Sequence, residues 1–255
     1  MQASGSAINS SLFAVYPFIR SLTTNLSGTL TWEHKKLKNR TDAPVTTSDK
    51  RVQLANFGLA GSHQDAVGGA GVTAFDLSFV TGKLSMDAVS LAADAASAQS
   101  NGSFTRLAYS VSRLQRLSES KMLSVVVFGQ QVGKNLNSSE KFILGGANGV
   151  RAYPQGEGIG DEGWLANLEL RHNFAQSVQG VLFYDAGSVD INRNQFAAGA
   201  NTRNISGAGI GANAKLAGAQ IKAYLAWRTG GGLPTSEPAT TDRNPRLWVQ
   251  VGTQF

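Results

Sequence analysis

The sequence contains no cysteine, and this absence removes several kinds of chemistry at once. Disulfide bonds, thiol catalysis and Cys-ligated metal sites are all excluded. The cellular compartment stays open, because chains without cysteine occur in reducing and in oxidising surroundings. No apolar run approaches the ~20 residues that a membrane-spanning helix needs. A helical membrane protein is therefore excluded, but a transmembrane β-barrel is not, since barrel strands alternate lipid-facing apolar and lumen-facing polar residues.

Patterns that carry catalysis or ligand binding are also missing. No serine lies in a G-x-S-x-G elbow, and no two carboxylates are placed as a general acid and base would require. His34, His63 and His172 lack the spacing of metal ligands. Residues 158–163 match G-x-G-x-x-G, but the residues after them alternate as a strand where dinucleotide binding needs a helix. We therefore expect no enzyme activity, no cofactor and no metal.

The sequence has no long run of residues with the same charge. The chain has 23 Lys and Arg against 17 Asp and Glu, for a formal net charge of +6. The basic residues are spread along the chain, with only short pairs such as Lys35-Lys36, so we expect no nucleic-acid partner. A polar barrel lumen, or a polar barrel rim that faces anionic lipid, accounts for the excess of basic residues equally well.

What the sequence does contain is long alternation of apolar and polar residues. Near the end of the chain Leu247, Val249 and Val251 fall on one face, while Trp248 and Gln250 fall on the other. Runs of this kind number roughly eleven, near residues 11–19, 23–36, 50–62, 70–80, 103–114, 119–131, 163–174, 177–189, 204–216, 219–229 and 245–255. Most are long enough to cross a bilayer.

The connections between these runs differ in length. Some are short turns, and others are long loops at 37–49, 81–102, 132–162, 190–203 and 230–244. Short turns on one side and long loops on the other are typical of outer-membrane barrels. The sequence thus predicts an all-β, antiparallel transmembrane β-barrel. Because bacterial barrels have an even number of strands, and because residues 1–10 lack the pattern of a signal peptide, we expect about eleven strands of a larger barrel.

The densest glycine loop of the chain holds one arginine among aromatic residues. It contains Arg151, and the strand-like run Phe183-Tyr184-Asp185-Ala186-Gly187 downstream places a lone carboxylate among apolar and small residues. A guanidinium in a confined lumen needs a carboxylate that accepts two hydrogen bonds, so Asp185 is its natural partner. Alternation puts Phe183 and Gly187 on the face of Asp185. Glu169 and Arg171 could equally line the lumen near this loop.

Three segments resemble the outer-membrane transporters of two-partner secretion, the haemolysin-activator and filamentous-haemagglutinin exporter family. They are YPFIRS at 16–21 followed by Asn25-Leu26, the loop with Gly145-Gly146 and Val150–Tyr153, and 183–187. The resemblance covers about residues 11–255. It implies that the loop folds into the barrel lumen and that Arg151 pairs with Asp185 on the barrel wall. Ala152 stands where the family usually has glycine, which leaves the tip conformation open. The other loop-motif residues are Gly145, Gly146, Gly149, Val150, Tyr153, Gly156 and Glu157.

The resemblance also implies a function and a wider organisation. Family members have a signal peptide, two periplasmic polypeptide-binding domains and about sixteen strands, so residues 1–255 are expected to be the carboxy-terminal part of the barrel domain. The expected function is a Gram-negative outer-membrane pore that secretes a large unfolded haemolysin- or adhesin-type partner. Other expected partners are outer-membrane lipid, lipopolysaccharide and the barrel-assembly machinery, which would recognise the terminal Phe255.

Two alternatives stay open at this point. A barrel-assembly protein or passive pore of the same superfamily would share the Arg151 and Asp185 motifs, and the pair could be a structural ion pair without a role in transport. A soluble β-sandwich would have shorter strands and faces buried in both sheets. The strands here are long and their outward faces end in Trp or Tyr, so the sandwich is the weaker interpretation.

Overall fold

A computed structural model describes residues 3–42, 45–216 and 218–253. Eleven strands form one antiparallel sheet in which each strand pairs with its neighbours in chain order. Two further short strands, β7 and β8, pair only with each other. The sheet is open, with β1 and β13 as its edges. The strands are β1 Ala3–Arg20, β2 Thr24–Asp42, β3 Val45–Asp65, β4 Gly71–Met86, β5 Gly102–Arg116, β6 Lys121–Val132, β7 Phe142–Ile143, β8 Ile159–Gly160, β9 Glu162–Ala175, β10 Val178–Asp190, β11 Thr202–Leu216, β12 Ala219–Gly230 and β13 Arg246–Thr253.

The predicted all-β fold of about eleven antiparallel strands is confirmed, but several boundaries were wrong. β4 continues to Met86, so the expected loop 81–102 begins only at residue 87. β1 begins at Ala3 rather than near residue 11, and β2 and β3 continue through the expected loop 37–49. Their backbones stay paired from Lys36 opposite Arg51 to Asn39 opposite Ser48. These strand ends lack an apolar face, so the alternation that marks the rest of the sheet is not visible in this part of the sequence.

The two faces of the sheet differ in polarity and in what covers them. One face carries exposed apolar side chains, among them Leu30 and Trp32, each 50% exposed, and Phe57. The other face carries two buried apolar clusters. The first lies on β9 to β12 and includes Leu165, Val181 and Phe183. The second lies on β3 to β6, where it consists of Val52, Leu54, Val80, Leu84, Phe104 and Val132, and it also includes Leu136 from the connection after β6.

Most short connections lie at one end of the strands, and the long connections lie at the other. Residues 21–23, 66–70, 117–120 and 176–177 form short connections at one end. The other end has the long connections 87–101, 133–161, 191–201 and 231–245, the first of which contains helix α1, Ala88–Ala95. We call these the short-turn end and the long-loop end. Within the described ranges, no helix has the length and apolarity to cross a membrane.

Candidate functional site

The connection 133–161 between β6 and β9 folds back against the inner face of the sheet. Its neck is the pairing of β7 with β8, in which Phe142 lies opposite Gly160. Beyond the neck Leu144, Val150 and Tyr153 are fully buried and join the apolar cluster on β9 to β12. We call residues 133–161 the lumenal loop, because it occupies the concave side of the sheet.

Glycines allow the tight turn at the tip of the lumenal loop. Gly146 has a φ of 122°, in the region that side chains disfavour, and a Cβ on Gly149 would lie 1.9 Å from the carbonyl oxygen of Leu144. The Gly149 N–H donates to the Gly146 carbonyl at 3.0 Å, and the Val150 N–H donates to Leu144 at 2.8 Å. The turn therefore closes so tightly that Arg151, the next residue, is aimed at the wall.

Arg151 and Asp185 meet on the inner wall. Asp185 lies on β10 and is fully buried, and Arg151 is 4% exposed. The Arg151 Nε donates to Asp185 Oδ2 at 2.9 Å and its second terminal nitrogen donates to Oδ1 at 2.7 Å. The Arg151 backbone N–H also donates to Oδ2, at 3.1 Å. One carboxylate thus neutralises the guanidinium and fixes the backbone of the loop tip.

Glu169 and Arg171 extend this ion pair along β9. The remaining terminal nitrogen of Arg151 donates to Glu169 Oε1 at 2.7 Å, and Arg171 Nε donates to Glu169 Oε2 at 2.8 Å. The Arg151 guanidinium carbon also lies 3.6 Å from the ring centre of Phe183, a cation–π contact. Burial disfavours the charged arginine, but Asp185 and Glu169 outweigh it and raise the pKa of Arg151.

Small residues on the wall make room for the lumenal loop. A Cβ on Gly187 would lie 2.6 Å from Leu144 Cδ2, and a Cβ on Gly207 would lie 2.4 Å from the Cβ of Ala152. Ala152 does not adopt left-handed backbone geometry, so it needs no glycine on conformational grounds. The methyl group that distinguishes Ala152 from the usual family residue is therefore accommodated by a glycine on the facing strand.

Two further wall residues hold the loop tip, and the pairing arguments from sequence did not include them. Trp248 Nε1 on β13 donates to the Arg151 carbonyl at 2.7 Å. Asn167 Nδ2 on β9 donates to Asp185 Oδ1 at 2.7 Å and to the Gly149 carbonyl at 3.2 Å. Strand alternation puts Asn167 on the same face as Glu169 and Trp248 on the face opposite Leu247, and this is the one signal in the sequence that points to them.

The start of the lumenal loop is held by a second ionic contact of opposite polarity. Glu140 is 4% exposed and lies 2.9 Å from Lys35 Nζ on β2 and 3.0 Å from Arg106 on β5. Its carbonyl also accepts a hydrogen bond from Gln130 Nε2 at 3.0 Å. Here the loop supplies the acid and the wall supplies the cations, whereas at Arg151 the loop supplies the cation. The two contacts together join the loop to β2 and β5 through Glu140 and to β9 and β10 through Arg151.

The end of the loop is tied to the long-loop end of the sheet through Glu157. This fully buried carboxylate accepts hydrogen bonds from Arg203 Nε at 2.9 Å and from the backbone N–H groups of Thr235 and Ser236 at 2.8 and 2.9 Å. Burial raises the pKa of Glu157, but these donors outweigh it and hold the pKa below its ordinary value. Gly145 closes the base of the tip by donating to the Glu157 carbonyl at 2.9 Å.

The remaining predicted positions are placed as follows. Tyr153 is buried, and its hydroxyl lies 2.7 Å from the Gly230 carbonyl. Gly156 has a φ of 87°, in left-handed geometry that favours glycine. Phe255 lies outside the described residues. Among the residues described, no three His, Asp or Glu side chains come together as a metal site would require.

The fold and the lumenal loop define a class of protein. Long antiparallel strands with an apolar outer face, and a loop held by buried charges against the inner face, form the wall of an outer-membrane type of β-barrel. The model of the haemolysin secretion/activation protein family ShlB/FhaC/HecB matches residues 1–214. The chain belongs to this family, as the sequence resemblance predicted.

Individual relatives agree with the family model. The heme/hemopexin transporter protein HuxB of Haemophilus influenzae strain 86-028NP is 31% identical over 192 residues, which are 73% of this chain and 34% of HuxB. The chain thus spans about a third of the length of the curated relatives it matches.

Solved structures show the same fold. CdiB from Escherichia coli superposes with a TM-score of 0.77 at 17% identity, over 98% of this chain and 45% of CdiB. CdiB from Acinetobacter baumannii gives a TM-score of 0.68 at 15% identity, over 98% of this chain and 42% of that protein. At these identities the likeness establishes the fold alone.

Proposed function

We propose that this chain is part of the wall of an outer-membrane pore that secretes a large unfolded partner protein, of the haemolysin or adhesin type, by two-partner secretion. Membership of the haemolysin secretion/activation family supports this function. The observation that carries it in the structure is the buried contact of Arg151 with Asp185, which holds a loop inside the concave face. The proposed activity is transport and involves no catalytic step.

The inner wall beside the lumenal loop suits a passing polypeptide. Toward the short-turn end of β2 to β5, beyond the contact of Glu140 with Lys35 and Arg106, its side chains are small and mostly uncharged. Asn56 and Ser78 on this wall are joined by a hydrogen bond of 2.7 Å. Such groups offer an extended chain exchangeable hydrogen bonds without deep pockets or strong charges. The polar inner-facing residues here are Ser27, Thr29, Thr31, Asn56, Ser78, Ser110 and Ser112, and Asp76 is the charged residue among them.

In this proposal the lumenal loop is the movable obstruction. Its tip is held by charged contacts rather than by apolar packing alone, and such contacts can exchange for water or for a passing polar chain. The first contact, at Arg151, and the second, at Glu140, must both yield before the loop can leave the lumen. Arg151 is therefore a positioning residue for transport.

The proposed location is the outer membrane of a Gram-negative bacterium, with the strands crossing it many times. The exposed apolar band of Leu30, Trp32 and Phe57 supports contact with lipid, and the aromatic members suit a membrane interface. Proposed partners beside the secreted protein are outer-membrane lipid, lipopolysaccharide and the barrel-assembly machinery, which we expect to recognise Phe255. A barrel-assembly protein or passive pore is the second candidate, because the Arg151 and Asp185 contact suits it as well.

A secretion experiment tests the proposal. The gene for the full-length protein that carries this chain is deleted, and the culture-medium proteins are compared by mass spectrometry after complementation with the parental protein, Arg151→Ala or the control Arg116→Ala. The parental protein and the control should restore one large secreted protein, and Arg151→Ala should restore less at equal outer-membrane level. Equal secretion by the parental protein, Arg151→Ala and Arg116→Ala would show that Arg151 has no role in transport.

The same strains separate the candidate functions. If no secreted protein depends on the gene, while other outer-membrane proteins decline, barrel assembly replaces secretion as the function. If the purified full-length protein conducts ions in planar bilayers and neither effect is seen, it is a passive pore. A shift of the unboiled protein on a gel relative to the boiled sample checks that each variant forms a barrel.

A further inference from the structure

The outer face of β2 changes from apolar to basic toward the long-loop end. Alternate residues share this face, and Leu30 and Trp32 on it are exposed apolar side chains. His34 follows and stacks on Trp32, with ring centres 6.3 Å apart. Lys36 and Lys38 come next and are exposed. The strand therefore passes from an apolar band through an aromatic residue to cations, the order in which a membrane passes from hydrocarbon to headgroups.

The neighbouring strands add cations at the same height. Arg51 on β3 lies directly opposite Lys36, and Lys83 on β4 lies opposite Gln53, two residues along from Arg51. All three cationic side chains are exposed. Like charges directly opposite each other in a sheet are destabilising. We call Lys36, Arg51 and Lys83 the basic patch.

No acidic side chain of the described residues forms an ion pair with the basic patch. Two acids lie nearby, but both have other partners. Asp49 lies 3.9 Å from Lys38 Nζ. Asp87 accepts hydrogen bonds from the backbone N–H groups of Asp49 and Ser90, at 2.8 and 3.0 Å, and begins helix α1. Among the described residues, the three neighbouring cations therefore have no acid at ion-pair distance.

The short-turn end of the same outer face is built differently. There Arg113 on β5 forms an ion pair with Asp65, in which one of its terminal nitrogens donates to Asp65 Oδ1 at 2.8 Å, and it also donates to Thr73 Oγ1 at 2.9 Å. Arg113 is thus neutralised by an acid of the protein itself, whereas Lys36, Arg51 and Lys83 have no such partner among the described residues.

We propose that the basic patch binds the phosphate groups of lipids in the leaflet at the long-loop end. Guanidinium and ammonium groups bind phosphate through charge-assisted hydrogen bonds, and an anion bridging Lys36 and Arg51 removes their mutual repulsion. The position just beyond Trp32 selects a headgroup over a phosphate free in solution. This inference rests on the proposed membrane location. Outer-membrane barrels carry their longer loops on the outside, so the leaflet is the outer one and the lipid it fits is a phosphorylated glycolipid.

The test measures binding of diphosphoryl lipid A to the purified full-length protein in detergent by native mass spectrometry. The variant carries Lys36→Gln, Arg51→Gln and Lys83→Gln. Its matched control carries Arg116→Gln, Lys121→Gln and Lys215→Gln, which remove the same charges at the short-turn end. Each basic residue near an anionic surface contributes roughly a factor of five, so the patch variant should bind about 100-fold more weakly. The control should bind within about twofold of the parental protein.

Two further arms identify the ligand chemistry. Lipid A without its phosphates should bind the parental protein and the patch variant alike. Inorganic phosphate at the same concentration should not compete with the lipid. Equal affinity of the parental protein and the patch variant for diphosphoryl lipid A would overturn the proposal, and so would full competition by inorganic phosphate.

The unfolding temperature gives an independent test of whether the cations of the basic patch repel one another. In lipid-free detergent the patch variant should unfold at the same or a higher temperature than the parental protein, because like charges have been removed. With diphosphoryl lipid A present, the parental protein alone should gain stability. A lower unfolding temperature of the patch variant without lipid would show that the cations have protein partners, which contradicts the proposal.

The outcome is separable from that of the proposed function. Lipid binding without any secreted protein that depends on the gene would refute the transport function, but it would still support lipid binding by the basic patch. Secretion by a protein whose patch does not bind phosphorylated lipid would refute the patch alone. Recovery of the parental protein outside the membrane fraction would refute both.

Discussion

Arg151 and Asp185 are joined by three hydrogen bonds, one of which comes from the Arg151 backbone N–H. The contact therefore does more than neutralise a charge, because it also sets the direction of the chain at the loop tip. Asp185 is fully buried, and Asn167 and Glu169 form hydrogen bonds in the same cluster. Loss of Arg151 or Asp185 therefore leaves buried polar groups with neither a hydrogen-bond partner nor water.

The first prediction concerns the arginine side chain. Arg151→Lys keeps the charge, but a lysine ammonium cannot place three donors on both Asp185 and Glu169 in the guanidinium geometry. We expect it to release the loop tip nearly as well as Arg151→Ala. Protease cleavage within residues 144–158 of the folded full-length protein should become faster in both variants, with Arg116→Lys as the control. Unchanged cleavage in Arg151→Lys would show that charge alone holds the tip.

The second prediction concerns the ionic contact at the start of the loop. Glu140→Gln leaves Arg106 without its acid and leaves Lys35 with Glu33 alone, 3.4 Å away, and we expect a loss of about 2 kcal/mol in stability. This is less than the ~3–5 kcal/mol typical of a fully buried pair, because water still reaches both cations. Hydrogen exchange should speed up at residues 136–143 before it does at residues 150–153. Glu119→Gln, at an exposed turn, is the control, and equal exchange in both variants would contradict the anchor role.

The third prediction concerns the fit of Ala152 to the wall. Gly207→Ala would bring two methyl carbons to 2.4 Å, so the loop or β11 must shift. We expect a loss of about 1–3 kcal/mol, as for other overpacked sites. Ala152→Gly in the same protein should recover part of it, but not all, because the new Cβ still lies 3.0 Å from the Trp227 carbonyl. A double-mutant cycle of unfolding temperatures measures the coupling, and strict additivity would argue against the contact.

The fourth prediction is a pH dependence outside the strands. Asp94 accepts hydrogen bonds from Ser100 Oγ at 2.7 Å and from the Asn101 N–H at 2.9 Å. Burial raises the pKa of Asp94, but these donors outweigh it and hold the pKa below its ordinary value of 3.8. A lowered folded-state pKa stabilises the connection 87–101 fully above pH 3.8, and the effect is lost as the pH falls through the folded pKa.

Hydrogen exchange at Ser100 and Asn101, corrected for its intrinsic pH dependence, checks this expectation. Protection should be constant above about pH 5 and decline below about pH 4. In Asp94→Asn the protection should be lower at every pH, and it should not decline at low pH. A decline of equal size in the variant would assign the effect to another acid.

Part of the lumenal site followed from local sequence alone. Alternation placed Asp185, Glu169 and Arg171 on the inner face, and a lone arginine in a glycine-rich loop needed a buried acid. Both arguments use residue spacing within one strand or one loop, which side-chain geometry fixes wherever the strand lies. The eleven strands were predictable for the same reason, except at the start of β1, at the end of β4 and at the ends of β2 and β3, where no apolar face remains to reveal them.

The sequence by itself determined the strands, the face each side chain takes and the chemistry of the loop tip, because these depend on neighbours along the chain. Only the tertiary structure decided that Glu140 meets Lys35 and Arg106, that Trp248 binds the Arg151 carbonyl, and that Gly207 receives Ala152. These partners lie up to 105 residues apart. Their meeting depends on the register and curvature of the whole sheet, which no short stretch of sequence encodes.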